Sequence, residues 1–164
     1  MSRAFVKEQD ADTPPEPLPD IPIPPPPNPV TARGLRLIET AITDIQARLP
    51  EAVERDAAEA AELRRKLRYW SARRTTAQLT RPPRSEDEVG FGSRVTVRWP
   101  GRGDVSMEIV GEDEGDPAAG RVSWRAPTAA ALIGSGTREH VEAAIGGKKV
   151  RLTILAVDNA ERTE

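Results

Sequence analysis

"VTARGLRLIETAITDIQARLP", residues 30–50, is the stretch on which the fold turns. Leu35, Ile38, Ile42, Ile45 and Leu49 recur at alternating spacings of 3 and 4. That spacing lines them along one helical face, the stripe of a helix-to-helix seam. Thr31 precedes the stripe as a candidate N-cap. Pro50 lacks the backbone donor that a helix interior needs, and it suits the first turn of a new helix. The stripe resumes as Ala60, Leu63, Leu67 and Trp70 and runs on to Ala77. Neither helix can bury its apolar face alone. Together they predict an antiparallel coiled-coil hairpin over residues 31–80, with its turn near 49–51 and a second helix that starts within 50–58.

Outward from the hairpin the texture changes on both sides. Residues 1–30 hold ten of the sixteen prolines. Proline fixes φ and removes a donor, so a stiff, extended, disordered leader is expected there. Residues 81–88, within "TRPPRSEDE", read as a linker. Beyond it the apolar period becomes 2: Val95, Val97 and Trp99, then Val105, Met107 and Ile109, with "GRVSW" and "KKVRLTILAV" completing about four strands. "APTAAALIG" reads as a short helix closing on a glycine. Residues 89–158 are thus expected as a small, mainly antiparallel sheet with one short helix, followed by a disordered tail at 159–164. The class is α+β.

The absence of cysteine excludes disulfides, thiol catalysis and cysteine-bound zinc. A net charge of −2 gives no bulk attraction to nucleic acid or membrane, so any such contact needs a local patch. No apolar run reaches the length of a membrane span, and the N-terminus lacks the apolar core of a signal peptide. A cytoplasmic monomer is expected.

The hairpin does carry a charge gradient. Glu51, Glu54, Asp56, Glu59 and Glu62 face a single base, Arg55; then Arg64, Arg65, Lys66, Arg68, Arg73 and Arg74 follow without an acid. Acids near a helix start and bases toward its end complement the helix dipole. The same bases could instead lie along a nucleic-acid backbone. His140 stands alone and reads as a surface residue. "VGEDEGDP" lacks the ligand spacing of a calcium loop, and "GFGSR" lacks the context of a phosphate-binding loop. No catalytic constellation, metal site or cofactor is expected, and the chain is not read as an enzyme.

Five stretches carry a family likeness: "SRAFVKE", "NPVTARGL", "RRKLRYWSARRTTAQL", "VGFGSRVTV" and "EIVGEDEGDPAAGRVSWRAPTAAALIG". On these the chain resembles the GreA/GreB family of bacterial transcription elongation factors, with a GreB-like leader. Ile109, Val110, Gly111, Asp113, Glu114, Pro127, Leu132 and Gly134 match the family pattern, with Ala126 in place of its usual serine. The resemblance implies an antiparallel coiled coil joined to an FKBP-like C-terminal domain. In the family that domain docks at the rim of the RNA polymerase secondary channel, while acids at the coiled-coil tip help hold a catalytic magnesium ion. Carried to this chain, it implies polymerase docking through Gly111, Asp113, Glu114, Pro127, Leu132 and Gly134. The basic face of Arg64, Arg65, Lys66, Arg68, Arg73 and Arg74 would contact RNA, DNA or the channel wall.

One departure stands out. The family's Gly-Asp-x-x-Glu-Asn tip motif is absent from residues 47–62. About two dozen residues are missing, which shortens the arm by about 18 Å. The expected function is therefore regulation of elongation without stimulation of transcript cleavage. An alternative within the family keeps cleavage, using Glu51, Glu54 and Asp56 as tip acids. An alternative of another class is an FKBP-like peptidyl-prolyl isomerase; its pocket would need an aromatic-lined cleft, for which the domain offers Phe91, Trp99 and Trp124.

Overall fold

The computed structural model describes residues 19–161. The disorder expected for residues 1–18 and 162–164 falls outside the described residues. In chain order the elements are β1 (Asn28–Val30), α1 (Ala32–Arg55), α2 (Ala57–Thr76), β2 (Ala77–Leu79), β3 (Arg94–Trp99), β4 (Gly103–Val110), β5 (Arg121–Ser123), α3 (Pro127–Leu132), β6 (His140–Ile145) and β7 (Lys148–Asp158). Two 3-10 turns, Glu112–Glu114 and Pro117–Ala119, lie between β4 and β5.

The two stripes do meet as a hairpin. Ile45, Ala52, Ala60 and Leu63 are buried between α1 and α2, and Leu49, Leu67 and Trp70 pack around them. The turn, however, is not near 49–51. Pro50 sits inside α1, which continues to Arg55. Asp56 makes the break: its N–H donates to the Ala52 carbonyl, and its Oδ1 accepts from the N–H groups of Ala58 and Glu59 at 2.9 and 3.0 Å. One residue closes one helix and caps the next. An extended Asp56 (φ −147°, ψ 98°) reverses the chain without a loop. At 1.5 Å per residue α1 is about 36 Å long.

The leader needs a similar correction. Residues 28–30 form β1, which pairs in parallel with β2 through Asn28 with Ala77, Pro29 with Gln78 and Val30 with Leu79. Asn28 and Val30 are buried. The donor that Pro29 lacks is no loss in so short a two-stranded ribbon.

The C-terminal sheet has five strands in the order β5-β4-β3-β7-β6. The α+β organisation stands, with a mixed rather than wholly antiparallel sheet: β4 and β5 run in parallel. Strand β6, which begins at His140, exceeds the four expected. Val95, Val97, Met107, Ile109, Leu152 and Ile154 point from the sheet into one core, which α3 closes with Ala129 and Leu132. At its end β4 is buried on both faces, Met107 to Val110, because the hairpin base covers the far side. Residues 85–88, expected in the linker, are stitched into this domain. Asn159 Nδ2 donates to the carbonyls of Ser85 and Glu88, and Asp87 accepts from Thr137 N at 2.9 Å. Asn159 thereby belongs to the domain rather than to a disordered tail.

If Asp56 is the hinge, Asp56→Ala should lower the unfolding free energy by about 1 kcal/mol. Pro50→Ala should raise it, because a mid-helix proline forfeits a backbone hydrogen bond. Urea denaturation followed by helical circular dichroism reads both; a stabilising Asp56→Ala or a destabilising Pro50→Ala would return the turn to Pro50.

Candidate docking surfaces and hairpin end

The residues expected to dock a partner divide sharply by burial. "GEDE", residues 111–114, is turned inward against the base of the hairpin. Arg73, fully buried on α2, donates through Nε to Asp113 Oδ2 at 2.6 Å. Its Nη2 donates to Asn28 Oδ1 at 2.7 Å and to Glu112 Oε2 at 3.0 Å. One helical turn earlier, the Tyr69 hydroxyl donates to Asp113 Oδ1. At the start of α1, Thr31 Oγ1 donates to Glu114 at 2.7 Å and accepts from Gly34 N at 2.9 Å. Arg33 Nε reaches Glu114 Oε1 at 2.6 Å, and its Nη2 reaches Glu108 at 3.2 Å. Each acid of the block thus holds a hairpin residue. A Cβ on Gly34 would lie 2.6 Å from Glu114 Oε2, and one on Gly111 would lie 2.9 Å from the Pro29 carbonyl. Both glycines are small because the joint is tight.

Gly111, Asp113 and Glu114 are therefore parts of an internal joint, and Leu132 is a fully buried core residue. Gly111, Glu114 and Leu132 are buried and Asp113 is part-buried, so they offer a partner little surface in this fold. Only Pro127 and Gly134 of the expected docking set are exposed. Beside them lies Ile133, which the sequence reading passed over; it is 39% exposed at the end of α3. Pro127, Ala130, Ile133 and Gly134 together make an outward surface of low polarity on and after α3.

The basic run on α2 is also not one face. Arg73 belongs to the joint. Arg65 and Lys66 pair with Glu62, Arg68 with Asp20 and Arg74 with Glu39, and Arg64 is exposed. A string of bases in sequence becomes a set of separate pairs because successive helical residues point about 100° apart.

At the hairpin end, among the described residues, the acids other than Glu54 have local partners. Glu51 pairs with Arg55, Glu59 with Arg48 across the hairpin at 2.5 Å, and Asp56 caps α2. Among the described residues no group of three or more His, Asp or Glu side chains is placed to hold a metal ion. His140 is exposed, its Nδ1 2.9 Å from Thr153 Oγ1. The aromatic rings of the sheet domain do not line an open apolar cleft either. Arg102 lies over Trp99 at 5.1 Å and Arg125 over Trp124 at 4.7 Å. No helix among the described residues is long and apolar enough to cross a membrane.

The electrostatics of the joint follow from its burial. Desolvation, then the hydrogen bond to Asp113, pushes the Tyr69 phenol well above its ordinary 10.0. Burial opposes the charge of Arg73, but the hydrogen bond and charge of Asp113 outweigh it and hold the guanidinium above its usual range.

Comparison with known proteins bears on the sheet domain most directly. The family model "Transcription elongation factor, GreA/GreB, C-term" matches residues 84–159. The chain is 38% identical over 71 residues to the transcription elongation factor GreA of Roseiflexus sp. (strain RS-1), a match covering 43% of this chain and 45% of that protein. The chain thus spans less than half the length of the curated relatives it matches in this way. A longer, weaker match, 24% identical over 149 residues, covers 79% of this chain and 92% of the GreA of Desulfovibrio desulfuricans. Among solved structures, the GreA factor homolog 1 protein of Thermus thermophilus covers 80% of this chain and 99% of its own, at 18% identity and a TM-score of 0.39.

Arg73→Ala takes the cation from part-buried Asp113 and one of two cations from Glu112, which keeps Arg125, and should cost about 3 kcal/mol in chemical denaturation. Arg74→Ala, whose pair with Glu39 is exposed, should cost less than about 1 kcal/mol. Tyr69 is the chain's one tyrosine, so tyrosinate absorbance reports it alone. Its folded pKa lies above its unfolded one. That contribution to stability is complete below about pH 10 and is lost as pH rises toward the folded value. The native protein should therefore resist tyrosinate formation at a pH where the urea-unfolded chain has ionised, and Asp113→Asn should narrow the gap.

Proposed function

We propose that this chain, whose residues 84–159 match the GreA/GreB C-terminal family model, binds bacterial RNA polymerase at the secondary channel by its sheet domain and regulates elongation without stimulating transcript cleavage. The observation that carries this reading is the use made of the acids at the hairpin end. Cleavage help of the family kind needs carboxylates that reach a magnesium ion to about 2.0–2.1 Å. Here the Asp56 carboxylate is spent on capping α2, and those of Glu51 and Glu59 on Arg55 and Arg48. Glu54 alone cannot orient an ion and a water. The arm is also short, as the missing tip motif implies.

Docking then falls to the surface that burial leaves available: Pro127, Ala130, Ile133 and Gly134, with Pro127 and Gly134 retained from the family pattern. Arg64, exposed along α2, is the base to approach nucleic acid or the channel wall, joined by Lys66 where its pair with Glu62 opens. The protein acts in the cytoplasm, as a monomer with polymerase core as its partner.

Two measurements on one set of proteins test this. The chain should be retained on immobilised core RNA polymerase, and Ile133→Asp should weaken retention at least about tenfold if the contact buries that side chain. In stalled elongation complexes supplied with magnesium, RNA length should be unchanged by the chain. Absence of binding would sink the reading. Magnesium-dependent shortening that is lost on alanine substitution of Glu51, Glu54 and Asp56 would replace it with the cleavage reading.

A further inference from the structure

The segment before β1 touches both halves of the molecule. At one end, the Asp20 carboxylate accepts from Arg68 Nε at 2.7 Å and lies 2.5 Å from its Nη2, while the Pro19 carbonyl accepts from Arg65 Nη1 at 3.2 Å. In the middle, Arg125 Nη2 donates to the Pro25 carbonyl at 2.5 Å. Arg125 is itself fixed on the sheet domain, through Nε to Glu112 at 2.6 Å and by its seat over Trp124. At the far end, Asn28 is buried and donates to the Arg73 carbonyl at 2.9 Å and to Thr76 Oγ1 at 3.2 Å.

The path is longer than α2 requires. From Arg65 to Arg73 the helix rises about 12 Å, whereas an extended proline-rich segment from Pro19 to Asn28 spans about 28 Å. The surplus lets the segment leave the helix, reach Arg125 and return. Its four consecutive prolines, Pro24 to Pro27, keep that bow stiff. Without it, the hairpin would join the sheet domain through residues 80–84 and the buried joint alone, and two units joined that way tend to move against each other.

We propose that residues 19–27 are a strap, a second tether from the shaft of α2 to Arg125 that fixes the direction in which the hairpin points from the sheet domain. The strap is independent of which partner the protein binds. Its anchor on the sheet side is Arg125, whose role here is positioning. Its anchor on the hairpin side is the pair of Arg68 with Asp20.

The lack of cysteine makes the test direct. Spin labels on Glu54→Cys at the hairpin end and Lys148→Cys at the β6–β7 turn, both exposed, report the hairpin direction as a distance distribution. The parent should give one narrow population. Arg125→Ala and Asp20→Arg should each broaden it with the helical circular dichroism unchanged, and adding Arg68→Asp to Asp20→Arg should restore the narrow population. Distributions that stay narrow in both single variants overturn the proposal. So does broadening by Asp20→Arg that Arg68→Asp fails to repair.

Discussion

The Arg73 guanidinium is buried where the leader, α2 and the turn after β4 converge, and a buried cation is costly unless acceptors surround it. Asp113, Glu112 and Asn28 supply those acceptors from two separate segments, so Arg73 is tolerated only when both have arrived. That requirement couples the hairpin to the sheet. A mispositioned hairpin would leave the Arg73 cation without its acceptors and Asp113 without its cation. Thr31, Arg33 and Glu114 repeat the device at the start of α1, so each helix of the hairpin is held at its base. The apolar seam between the helices then has only to keep them together, not to aim them.

This arrangement changes what the most family-like stretch of the chain is for. A dense acidic block beside a strand invites reading as a contact surface for a partner. Burial says otherwise: the acids of "GEDE" face the protein's own bases. At the end of α3, by contrast, Ile133 is exposed beside a proline and a glycine. A motif can be distinctive because it holds a molecule together, and its specificity of sequence then says little about what lies outside.

Much of the fold was legible because two periods carry it. The 3-and-4 stripe from Leu35 to Leu49 and the alternation at Val95, Val97, Met107 and Ile109 report burial directly, and burial drives both elements. The misreadings have local causes. Pro50 weighed as a helix start, yet one lost hydrogen bond costs less than breaking a seam that Ala52 still extends. Asp56, with Glu59 three residues on, carried the signal of the true turn and lay only a few residues away. Strand β6 was hidden because Ala143 and Ala144 give little contrast between its faces. Bases of α2 looked alike in a row, but helical geometry sends Arg73 inward and Arg64 outward, and only the acids contributed from distant segments separate them.

Because Asp56 alone joins α1 to α2, there is no slack at the tip to absorb a change in length. An insertion in one helix would rotate its apolar stripe off the seam and slide every facing pair out of step, beginning with Arg48 and Glu59. The arm can be lengthened or shortened only by matched blocks in both helices, in whole repeats of the stripe. Each repeat of seven residues moves the tip by about 10 Å. The reach of this protein is thus quantised: related chains should differ from it by discrete steps of arm length, and intermediate lengths would carry a bulge or an added loop at the turn.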